Sequence, residues 1–192
     1  MTTHADLPNT DRTVPGSLVA YESMFGNSHL IAEAIASGLG ARVLSIHSVD
    51  SAQAAATPLL VMGGPTHVHG LSRPATRTEA RRRAEQSAAT VTLDVEARGD
   101  GLREWLDQLV KGPQFFAAFD TRVDVPELFS GSAATKVVRR LEHLHSRELL
   151  PAESFLVDKA NRLVDGELDR ASAWGLALLT AYKKADTTDD GE

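Results

Sequence analysis

The chain contains no cysteine. That excludes a disulfide framework, a thiolate nucleophile and a cysteine-ligated iron–sulfur cluster, and it fits a reducing, cytoplasmic setting. It has no run of 18 apolar residues, so the sequence predicts no membrane-spanning helix. Aromatic residues make up only 5% of the chain, with two Trp and two Tyr. Three motifs are absent: the glycine-rich dinucleotide fingerprint GxGxxG, a Gly-Lys-Ser/Thr turn and a GxSxG nucleophile elbow. These absences argue against a triphosphate-binding P-loop and leave Ser23 without a nucleophile-elbow setting. Positive charge does not dominate: 20 Lys and Arg stand against 26 Asp and Glu, for a formal net charge of −6. That balance argues against general nucleic-acid binding and favours protein partners with basic faces.

What is present is an alternation. The 192 residues, 42% hydrophobic, suit one domain with a substantial core. Apolar runs at Leu18–Tyr21, Arg42–Ile46, Leu59–Met62, Phe115–Phe119 and Phe155–Val157 read as five strands. Helical patterns fall between and after them at Asn27–Leu39, Ser51–Ala56, Arg77–Ala88, Gly101–Val110, Ala133–His145 and Glu167–Tyr182. Strand followed by helix, five times over, predicts an α/β fold with an open parallel sheet covered by helices on both faces. The runs LLVM and FFAAF are continuous rather than alternating, as expected of strands buried on both sides. The polar, acidic stretch Met1–Pro15 is expected to be a disordered lead rather than a signal peptide. Residues 184–192 are expected to form a disordered acidic tail, leaving a domain over 16–183 with an insertion at about 89–101.

In open parallel sheets, ligands lie beyond the carboxyl ends of the strands, where strand order switches. That rule selects three loops: Glu22–Ser28, Gly63–Pro74 and Asp120–Ser132. The first is the most informative. A strand breaks into Ser23, Gly26, Asn27 and Ser28, and a helical stripe of Leu30, Ile31, Ala34, Ile35 and Leu39 follows at once. The free N–H groups of such a helix start and its dipole favour an anion. No Lys or Arg stands in the turn, so a phosphate there would be held by hydroxyl and backbone N–H groups.

The spacing of Tyr21, Ser23, Gly26, Ser28 and Ala32, joined by Gly-Gly-Pro-Thr at Gly63–Thr66, resembles the flavodoxin family. The resemblance runs from about Ser17 to about Tyr182. Ser28 stands where the family has Thr, keeping the hydroxyl, and Ala20 stands where a larger apolar residue is usual. The resemblance implies a flavodoxin-like three-layer sandwich with a five-stranded parallel sheet in the order 2-1-3-4-5, and FMN as cofactor. It implies that Ser23, Met24, Phe25, Gly26, Asn27 and Ser28 surround the phosphate. Pro65, Thr66, His67, Val68, His69 and Gly70 would line one side of the flavin ring, and Asp120, Thr121 and Arg122 the other. Many members sandwich the ring between Trp and Tyr. Neither residue occurs in the second or third loop here, which leaves His67, Val68 and His69 as ring neighbours in the second.

Three functions follow from that resemblance. The leading one is an electron carrier that works with redox partner proteins. The second is an FMN-dependent NAD(P)H or quinone oxidoreductase, with room for substrate where the aromatic residues are missing. The third is a binding module of the same fold without flavin. A metal at His67 and His69 is disfavoured, because no further His or acid lies within five residues. The basic run Arg73, Arg77, Arg81, Arg82 and Arg83 reads first as a solvated helix face. Its alternative is a docking patch for an acidic partner or for the phosphate of NADPH.

Overall fold

The structure, a computed structural model, describes residues 13–67, 70–86, 93–94, 97, 99–126 and 130–189. Strand β1 (Leu18–Tyr21) leads to α1 (Asn27–Leu39), β2 (Arg42–Ser45) and α2 (Ser51–Ala56). Then come β3 (Leu59–Pro65), α3 (Pro74–Gln86), α4 (Leu102–Gln108) and β4 (Phe115–Val123). The chain continues through α5 (Ala134–His143), β5 (Arg147–Glu148), β6 (Glu153–Val157) and α6 (Glu167–Asp189). Every pairing is parallel, and the order is β2-β1-β3-β4-β5, with β6 also on β4. The expected 2-1-3-4-5 order holds. The expected single fifth strand is instead two pieces on one edge: β5 pairs with Phe115 and Phe116, and β6 with Phe119–Val123.

Alternation within the strands divides the core. Val19, Tyr21, Val61, Phe115, Ala117 and Phe119 face α1 and α6, joining Ile31, Ile35, Trp174 and Leu178. Leu18, Ala20, Leu60, Met62, Phe116 and Ala118 face the other way, onto Leu102, Leu106, Val137 and Leu141. Both faces are thus buried, which is why β3 and β4 are apolar without interruption. Helix α3 begins at Pro74, where a missing N–H costs nothing because the first turn has no acceptor for it.

Several boundaries differ from the sequence pattern. β3 runs on to Pro65 and β4 to Val123, because Gly63, Gly64 and Pro65 pair with Phe119, Asp120 and Thr121. Pro65 and Asp120–Arg122 are therefore strand ends rather than loop residues. Helix α6 continues past Tyr182 to Asp189, with Ala185 buried in the core, so most of the expected tail is helical. At the other end Val14 is already 2% exposed against the core, so the expected lead is anchored by its last residues; residues 1–12 lie outside the described set. Of the expected insertion, Leu93, Asp94, Ala97, Gly99, Asp100 and Gly101 are described; they carry no strand.

Helices α1 and α6 cross at glycines. A Cβ on Gly38 would collide with the backbone carbonyl of Ser172, and one on Gly175 with the carbonyl of Ile35. Backbone atoms cannot swing aside, so the crossing distance is set by hydrogen. Gly175→Ala is expected to destabilise the fold by about 1–3 kcal/mol through overpacking, read as a lower urea midpoint. An unchanged midpoint would mean that the helices are not held this close.

Candidate functional site

The three loops meet at the carboxyl edge of the sheet, around β1, β3 and β4. β1 ends at Tyr21, and the Glu22 amide donates to the Gly63 carbonyl oxygen (2.9 Å), so loops one and two leave the sheet side by side. The chain then turns. Gly26 has φ 89°, a left-handed conformation that favours glycine, and its N–H donates to Ser23 Oγ (3.0 Å). α1 starts at Asn27 with no side-chain cap and no acid in its first turn. A Cβ on Gly26 would meet nothing within 4 Å, so the turn faces open space. The result is a helix start that no side chain caps among the described residues.

Long-range contacts fix this turn. The Ser28 hydroxyl, buried, lies 2.7 Å from Thr121 Oγ1 at the end of β4, joining loop one to the start of loop three. Asn27 Nδ2 donates to the Asn161 carbonyl oxygen (2.9 Å). Met24 is 2% exposed and packs with Ala80 and Ala97, with Phe25 and Leu93 alongside. The Asp94 amide donates to the Met24 carbonyl oxygen (2.9 Å), so Leu93 and Asp94 lie against loop one. His29, stacked on Tyr21 with centroids 4.5 Å apart, stands 3.8 Å from the Asp94 carboxylate.

Loops two and three are tied by one carboxylate. Asp120 is fully buried, and its Oδ2 accepts from Thr66 Oγ1 (3.0 Å), Ser132 Oγ (2.7 Å) and the Ala134 N–H (3.1 Å). Thr66 Oγ1 in turn accepts from the Ala133 N–H (2.8 Å), and the Thr66 N–H donates to the Thr121 carbonyl oxygen (2.9 Å). Asp120 Oδ1 has no partner among the described residues. Asp120 therefore ties the end of β3 to the start of α5. Arg122 is turned toward the base of loop three: its Nη1 donates to the Val125 carbonyl oxygen (2.6 Å), with Ser130 Oγ at 3.4 Å. In loop two, the His67 and Gly70 backbones exchange two hydrogen bonds (2.7 and 3.1 Å), closing a tight turn. Val68 and His69 lie outside the described residues, as do 127–129.

A second layer braces loop two. Glu22, 5% exposed, accepts at Oε2 from the Leu102 N–H (2.8 Å), and burial pushes its carboxyl pKa up. Arg77, 4% exposed, donates to Ser72 Oγ (2.9 Å) and pairs with Glu104 Oε2 (3.0 Å). Arg81 donates to the Ala97 carbonyl oxygen, and Arg82 pairs with Glu79. The basic run is thus largely engaged in holding α3 and its neighbours, with Arg73 exposed; the Arg83 side chain lies outside the described set.

Sequence reading did not single out Ser132, Asn161, His29 or Asp94. A hydroxyl just before a helical pattern is a capping signal, and Ser132 Oγ does accept from the Thr135 N–H (3.1 Å). Nothing local marks the other three: His29 adjoins Ser28 in the first turn of α1, and Asn161 and Asp94 reach the site from far along the chain.

The sheet order, the helices on both faces and the three-loop edge define a flavodoxin-like fold. The chain is similar to a flavodoxin from the domain Archaea, with a TM-score of 0.57 and 16% identity over 87% of this chain and 98% of that one. It is also similar to flavodoxin 2 from Bacillus cereus, with a TM-score of 0.58 and 19% identity over 85% of this chain and 97% of that one. A flavodoxin, WrbA-like protein from Agrobacterium tumefaciens gives 0.55 and 18% over 88% and 97%. No protein-family model and no curated protein sequence matches the chain. No described helix is long and apolar enough to cross a membrane.

Burial, with the nearby charge of Arg77 adding to it, lowers the His67 pKa from 6.5 to about 4. A depressed pKa means that the unfolded chain takes up the proton first. The stability His67 contributes is complete above pH 6.5 and is lost as pH falls from there to about 4. His67→Gln is expected to lose less stability than the parent across that window, measured as urea midpoints against pH. Parallel curves for the two proteins would contradict a neutral, half-buried imidazole.

Proposed function

We propose that this chain binds FMN and acts as an electron-transfer flavoprotein. The observation that carries the reading is the uncapped, outward-facing start of α1 beside Gly26, on a flavodoxin-like fold. Ser23, Gly26, Asn27 and Ser28, with the backbone of Met24 and Phe25, would hold the phosphate. No cation is needed, because several N–H donors and the helix dipole act on one dianionic group. Pro65, Thr66, His67 and Gly70, with Val68 and His69 between them, would flank one side of the ring; Thr121 and Arg122 would flank the other. When bound, FMN supplies the electron chemistry. The chain supplies orientation, hydrogen bonds and local charge, which set the potential. A neutral His67 beside the ring would offer a hydrogen bond without placing a full charge there. The electrons would pass to and from redox partner proteins.

A second reading is an FMN-dependent NAD(P)H or quinone oxidoreductase, and one observation favours it. Both tryptophans are engaged away from loops two and three: Trp105 Nε1 donates to the Val49 carbonyl oxygen (2.7 Å), and Trp174 packs on Phe155. A ring held between these loops would keep space for a substrate. One preparation separates the readings. The protein reconstituted with FMN should show flavin absorption that survives gel filtration. It should accept electrons from a separate reductase but show no steady-state NADPH–quinone turnover. Sustained turnover by the protein alone selects the oxidoreductase. Colourless protein after gel filtration rules out both and leaves a flavin-free binding module.

A further inference from the structure

A cavity of about 350 Å³ opens between α4 and α5, away from the α1 start. Its floor is Leu71 and Leu106, both buried. Its walls carry Arg103, Lys136, Arg139 and Arg140, with Asp107 as the only lining carboxylate among the described residues and His143 at the end of the α5 face. In a chain of formal charge −6, four cations around one small hollow are a local inversion of sign.

Two of those cations are fixed in place. Arg103 Nε donates to the Ser72 carbonyl oxygen (3.2 Å) and its Nη2 to that of Leu71 (3.0 Å). Arg140 Nε donates to the Leu106 carbonyl oxygen (3.1 Å) and its Nη2 to that of Leu109 (3.0 Å). Neutral carbonyls hold both guanidinium groups without cancelling their charge, and Nη1 of each has no partner among the described residues. Lys136 and Arg139 are exposed, and no described side chain or carbonyl occupies their charged ends. A fixed guanidinium has already lost its rotamer freedom, so an anion that meets it gains the charge-assisted hydrogen bond at lower entropic cost. A concave, apolar-floored hollow suits a small ligand better than a flat protein face.

We infer that this cavity is a binding site for a small phosphate-bearing molecule, a phosphate ester or free phosphate, whose oxygens meet Arg103, Arg140, Lys136 and Arg139. It stands apart from the α1 start proposed for FMN, so either assignment can fail alone. It adjoins loop two: a Cβ on Gly70 would touch the Lys136 side chain, 3.6 Å from Cγ.

Calorimetric titration of the full chain with ADP, pyrophosphate and inorganic phosphate tests the site, against the double variant K136E/R139E. Both positions are exposed, so circular dichroism and the thermal midpoint should be unchanged. The expected result is saturable binding of at least one of the three. Charge reversal should weaken it by about tenfold or more, and FMN affinity should stay the same. Tighter binding of ADP than of pyrophosphate identifies a nucleotide, with the Leu71 and Leu106 floor taking its nucleoside. Equal binding of pyrophosphate and inorganic phosphate identifies free phosphate. No saturation by any of them, equal affinity in the double variant, or saturation only by a glutamate-rich peptide overturns the inference.

Discussion

The candidate site depends on a helix that starts without a side-chain cap. Backbone N–H groups at the first turn of α1 have no intrahelical acceptor, and most proteins supply one from a Ser, Thr, Asp or Asn side chain. Here the residue before the helix is Gly26, in a left-handed conformation, and no side chain caps the first turn among the described residues. Ser23 accepts from the Gly26 N–H instead, and Ser28 is turned toward Thr121. The nearest carboxylate in sequence, Glu22, is withdrawn into the interior and accepts from the Leu102 N–H. Glu22 is thus directed elsewhere, and the Asp94 carboxylate stands beside His29 rather than capping Gly26, which leaves the turn suited to an external anion.

The rest of the edge holds that turn and its neighbours in register. One oxygen of Asp120 gathers donors from Thr66 on loop two and from Ser132 and Ala134 at the start of α5. These neighbours reach it because β3 and β4 stay paired through Pro65 and Thr121, well beyond their apolar segments. Glu22 and Arg77 play the same part deeper in, linking β1, α3 and α4 behind loop two. The loops expected to touch a ligand are therefore mounted on buried polar groups, and a buried polar group that loses its partner is costly.

The first loop was legible from the sequence because its determinants are local: an apolar strand, small and hydroxylated residues, then a 3.6-residue apolar period. The sheet was legible for a related reason, since strands buried on both faces must be apolar throughout. The far ends of β3 and β4 were not, because GGP and DTRV form strand by pairing with each other rather than by their own composition. β5, two polar residues long, carries no pattern at all. The arginine run shows the limit most plainly. Arg77 and Arg73 look alike in the sequence, yet one is a buried strut and the other is exposed. The division depends on Ser72 and Glu104, which only the fold brings together.

Calorimetric titration with FMN and with riboflavin tests the central claim most directly, because the two ligands differ only in the phosphate. If the α1 start is the anchor, FMN binds at least about a hundredfold more tightly than riboflavin, since several charge-assisted hydrogen bonds depend on that group. Equal affinities would contradict the account, as would no saturable binding of FMN.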